Sequence, residues 1–175
     1  FAITRRDVDI PPDAAVLQDL APLLAAFYKE ANIEDLWKRS QRAIDQYIER
    51  YHTPVTDAVL QCNLYLRQQT SGFRGRRFQV LLELQGPPNQ VQRRSYGELD
   101  FVVVTPSAEP RIFDIRHAYL HYLIDPLSSH SAEIIERKKA LVDHAQRARI
   151  LPDSYKEDFL ALTTESMIKA VEGRL

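Results

Sequence analysis

One cysteine, Cys62, and one methionine are all the sulfur this chain carries. No intramolecular disulfide can form, and no zinc site can be assembled from thiolates. Long apolar runs are missing as well: no stretch approaches the ~20 residues that a membrane-spanning helix needs. Charge of one sign is not in excess, since 23 Lys and Arg stand against 24 Asp and Glu. The chain as a whole therefore has no general attraction to nucleic acid or to a membrane surface. A leading methionine is absent too; Phe1 stands first, and the expected setting is a piece of a longer chain with other domains beside it.

What is present is enough for one domain: 175 residues with no composition break. After an extended lead-in ending at Pro11-Pro12, Asp13 is the expected N-cap of a helix through Val16, Leu20, Leu23, Leu24 and Phe27, interrupted at Pro22. Leu36, Trp37, Ile44, Tyr47, Ile48 and Tyr51 fall at steps of three and four and predict a second helix. A third is expected after Thr53, with Pro54 in its first turn, running through Val55, Val59, Cys62 and Leu66. Cys62 is expected to be a small buried thiol of that pattern. Phe78–Leu84 reads as a strand, Gly86–Asn89 as a turn, and Arg94–Thr105 as a second strand region. The arginines around them, Arg74, Arg76, Arg77, Arg93 and Arg94, are expected on solvated loops. Helix resumes from Phe113 to Ile124 and is expected to close at Pro126. Two more helices follow, over 132–149 and 154–174, the last capped by Asp153 or Ser154. The order predicts an α+β domain over 1–175: a helical part over 1–72, a small sheet over 73–110, and the remaining helices over 111–175.

The helix over 113–124 carries His117-Ala118-Tyr119-Leu120-His121. Histidines four apart share one helical face, where both imidazoles can reach one ion. In the metalloprotease motif H-E-x-x-H, the Glu after the first His is the general base. Ala118 occupies that position, so the expected number of catalytic residues here is none. Phe113, Ile115, Leu120, Leu123 and Ile124 make the helix apolar on most sides, which predicts an interior position. Asp114, His117, His121 and Asp125 cluster on one side. Buried, they need partners: a metal on both histidines with Asp114 or Asp125 orienting a ring from behind, or hydrogen bonds among themselves.

The segment Arg116-His-Ala-Tyr-Leu-His-Tyr-Leu-Ile-Asp-Pro-Leu127 resembles the motif helix of zincin-like bacterial proteins that read R-H-E-Y-x-H-x-x-x-x-P-L. Thr164-Glu165-Ser166-Met167-Ile168-Lys169-Ala170 is similar to the E-S-x-x-x-A pattern in which gluzincin-type members place a glutamate ligand. The resemblance covers the second half of the chain and implies a zincin-like fold, zinc as the cofactor, and His117, His121 and Glu165 as its ligands. It also implies that the strand with Phe101–Val104 edges a substrate cleft. Two positions depart from the family pattern: Ala118 replaces the base, and Lys169 stands where gluzincins often carry an Asp.

Three functions follow as alternatives. The first is a degenerate metallopeptidase-like domain that keeps a metal and captures a peptide or protein by adding it to the edge strand. The second is an active zinc metallopeptidase, if Ala118 stands in for an original Glu or another base substitutes. The third is a purely structural domain of a larger exported protein.

Overall fold

The computed structural model describes residues 17–68 and 75–175. The Asp13 cap and Arg74 lie outside them. Contacts divide the chain into two compact units, 1–47 and 48–175.

In the first unit a 3-10 turn, Gln18–Leu20, precedes helix α1, Ala21–Glu30. Pro22 lies in the first turn of α1, where its missing N–H has no intrahelical partner to lose. Asn32, in the left-handed region at φ 49°, ends this helix and leads directly into the next.

Helix α2 spans Ile33–Tyr65 without a break, although two helices meeting near Pro54 were expected. An interior proline costs a helix on the order of 3 kcal/mol. Here anchors on both sides offset it: Tyr51 is buried before Pro54, and Ala58 and Cys62 after it. The Tyr51 hydroxyl also accepts from the backbone N–H of Arg111 at 3.2 Å.

The sheet of the second unit has three strands, β1 (Arg77–Leu82), β2 (Val91–Tyr96) and β3 (Leu99–Val104), in the order β1-β3-β2. The stretch expected to be one strand region is a hairpin. Tyr96 pairs with Leu99 across Gly97-Glu98, and Gly97 at φ 56° supplies the turn. β3 is central, parallel to β1 and antiparallel to β2. Its alternate residues Asp100, Val102 and Val104 are fully buried.

Helix α3, Ile112–His130, runs through Pro126 instead of closing there. Pro126 cannot donate to the Tyr122 carbonyl four residues back, and Arg76 Nη1 donates to that oxygen instead, at 2.9 Å. Beyond α3 the expected helix over 132–149 is broken into α4 (Ala132–Glu136), a 3-10 turn (Lys139–Leu141) and α5 (Val142–Gln146), none with a buried residue. Without a buried face, such a segment has little to hold a long helix together. The final helix is also divided, into α6 (Asp153–Glu157) and α7 (Phe159–Glu172). Asp158, in extended conformation, separates them and caps α7 by accepting from Ala161 N at 2.9 Å.

Cys62 of α2, Tyr119, Leu120 and Ile124 of α3, and Ile168 of α7 form one buried cluster. The architecture is α+β, as expected, and this cluster is what sets α7 beside α3.

Candidate metal centre

Helix periodicity places His117 and His121 one turn apart on α3, with ring centroids 4.8 Å apart and planes at 81°. Ile168 locks α7 into the core, and Glu165, three residues earlier, meets the histidines. Both Nε2 atoms point to the same Glu165 oxygen: His117 Nε2 lies 3.7 Å and His121 Nε2 3.4 Å from Oε2. Neither contact is a hydrogen bond. Oε2 is buried with no hydrogen-bond partner, an arrangement that costs free energy unless something else satisfies it. One donor atom from each of His117, His121 and Glu165 lies within 4.8 Å of the others, so the three form a set able to hold a metal ion. A tetrahedral ion with bonds near 2.0–2.1 Å separates its ligand atoms by roughly 3.3 Å. The set is slightly wider than that.

The other face of each ring is tied down. His117 Nδ1 lies 2.9 Å from Glu172 Oε1, and His121 Nδ1 lies 2.8 Å from Asp125 Oδ1. A carboxylate accepts only, so in the neutral imidazole each Nδ1 carries the proton and each Nε2 keeps its lone pair for the shared space. Each carboxylate also has a cationic partner: Lys169 Nζ lies 2.8 Å from Glu172 Oε2, and Arg93 Nη1 lies 2.9 Å from Asp125 Oδ2. Burial works against the charge on Asp125, yet bonds from His121 and Arg93 hold its carboxyl below the usual range. Glu172 is held low in the same way: burial opposes its charge, while Lys169 and His117 stabilise it.

Arg93 links this shell to the sheet. Its Nη2 donates to Asp100 Oδ1 at 2.7 Å, and Arg76 Nη2 donates to Asp100 Oδ2 at 3.1 Å. Arg76 and Arg93, expected on solvated loops, are thus partly buried members of a network from β3 to His121. Arg77 and Arg94 are exposed, on β1 and β2.

Of the acids expected behind the histidines, Asp125 is there. Asp114 instead accepts from Arg111 Nε at 2.6 Å. Glu172 holds the ring of His117, and sequence reasoning missed it. The available signal was its spacing: seven residues after Glu165, it returns to the same face of α7. Lys169, where the resemblance implies an Asp, is instead the cationic partner of Glu172.

A cavity of about 330 Å³ opens beside the histidines, lined by Val91, Arg93, Asp114, His117, Ala118 and His121. Ala118 therefore contributes only a methyl group to the wall, at the position where the H-E-x-x-H motif has its Glu. The strand on this cavity is β2, which contributes Val91 and Arg93. The Phe101–Val104 strand, expected at the cleft edge, is instead the central strand and is paired on both sides. No family model, curated protein or solved structure matches the chain.

Proposed function

We propose that this chain is a zincin-like domain of gluzincin type that holds zinc on His117, His121 and Glu165 and has lost hydrolysis. The observation that carries the reading is the orientation of the two rings. Each Nδ1 is held by a carboxylate, and each Nε2 faces the buried, unpartnered Oε2 of Glu165. A closed hydrogen-bond network would satisfy that oxygen; a cation does so directly. Bound zinc would supply Lewis acidity at the open side of the set. Among the described residues lining the cavity, the one carboxylate that could take a proton from water is Asp114. Ala118 has none, and Asp114 is engaged by Arg111. What remains is binding. The outer strand β2 borders the cavity and has no partner on its far side among the described residues, so an extended peptide or protein segment could add to it.

Elemental analysis of protein purified without a histidine tag tests the metal. The expected result is about one zinc per chain, lost in His117→Ala and in His121→Ala, and a melting temperature lowered by a chelator. Absence of metal after zinc is added, with a melting temperature indifferent to chelator, would overturn the reading. Ala118→Glu separates loss of the base from wider loss. Weak cleavage of an unstructured protein is expected to return if Ala118 alone silences the site.

A further inference from the structure

Most of the charges around the histidines pair off. Asp114 is matched by Arg111, and Glu172 by Lys169. Asp125 and Asp100 share Arg93 and Arg76. Glu165 is left over: Lys169, its cationic neighbour at 3.7 Å, is already engaged by Glu172 at 2.8 Å. Arg116, which shares the Phe113 ring with Lys169, adds positive charge rather than negative. A divalent cation held by two neutral imidazoles and Glu165 therefore leaves at least one positive charge uncompensated in a partly buried site. A glutamate at position 118 would cancel it across the cavity. Ala118 leaves both the charge and the space.

Resting on the metal reading above, we infer that the open side of this site takes a monoanionic oxygen ligand, a carboxylate, in the space beside Ala118. A water in that position balances the charge only by losing a proton, and the one carboxylate that lines the cavity, Asp114, is held by Arg111. A carboxylate arrives already ionised and closes the balance without proton transfer. Hard oxygen donors suit zinc beside two nitrogens. The cavity, at about 330 Å³, admits more than a single water. The missing base thus converts a site for activating water into a receptor for an acid. That acid is either a small free carboxylate or the carboxylate end of a peptide lying along β2.

The test uses the full chain loaded with Co²⁺, whose visible spectrum reports the ligands of the ion. Titration with acetate should shift the spectrum saturably, while acetamide at equal concentration leaves it unchanged. Ala118→Glu, which fills the space, should raise the half-saturating acetate concentration tenfold or more. Acetyl-trialanine and its C-terminal amide distinguish the sources: tighter binding of the peptide acid than of acetate assigns the carboxylate to a peptide end, and equal binding assigns it to small free acids. No acetate response in cobalt-loaded protein, or an equal response to acetamide, overturns the inference and leaves the metal site standing. Failure to load cobalt or zinc at all overturns the metal reading and this inference with it.

Discussion

Replacing Asp100 with asparagine should destabilise the 48–175 unit and loosen the proposed metal site together. Asp100 is 0% exposed on β3 and accepts from two guanidinium groups, Arg93 at 2.7 Å and Arg76 at 3.1 Å. Asparagine keeps one acceptor oxygen and turns an NH2 toward the second arginine, so one guanidinium faces a donor. Removing one partner of a buried ion pair typically costs about 3–5 kcal/mol. The arginine side chains keep 32% and 25% of their exposure, so water relieves part of that cost. We expect about 2–4 kcal/mol, which for a unit of this size lowers Tm by roughly 6–16 °C. Arg93 also holds Asp125, and Asp125 holds His121, so zinc affinity should fall about tenfold in the same variant. Urea unfolding of the metal-free protein measures the first effect, and competition with a chromogenic chelator measures the second. A double-mutant cycle with Arg93→Met should return a coupling between roughly 0.5 and 3 kcal/mol. A stability change within about 0.5 kcal/mol, the range of ordinary surface substitutions, would refute the claim that this pair ties the sheet to the histidine helix.

Two more outcomes follow from the same contacts. Glu165→Gln should abolish stoichiometric zinc, whereas Glu172→Gln should weaken it about 10–100-fold by releasing the ring of His117; equal retention of zinc in both variants would remove Glu165 from the ligand set. Cys62 is fully buried, and burial pushes its thiol pKa up. A thiol reagent should therefore label the native protein at pH 8 far more slowly than the urea-unfolded chain. Comparable rates would place Cys62 outside the core.

What the sequence determined by itself was local. The four-residue step between His117 and His121 puts two imidazoles on one face of any helix, whatever packs around it, and Ala118 stands where the H-E-x-x-H motif has its Glu. The strand patterns and the α+β order followed from short-range periodicity in the same way. Prolines misled because their cost is local while what offsets it is not. Pro126 is spanned by Arg76, 50 positions earlier, and Pro54 by buried anchors on either side. The Gly97 hairpin was legible in principle, since a glycine inside a β pattern marks a turn. Glu165 as a partner of the histidines was implied by resemblance alone, and two further matters were decided only by tertiary structure: that Glu172 rather than Asp114 holds a ring, and that β2 rather than β3 borders the cavity. The place of α7 depends on the burial of Ile168, Leu120 and Cys62 against one another, which sets it beside α3 across a long sequence separation, while the cavity edge follows from the strand order β1-β3-β2. No spacing along the chain encodes that distance, because it arises from the shapes of side chains that meet only when the core closes.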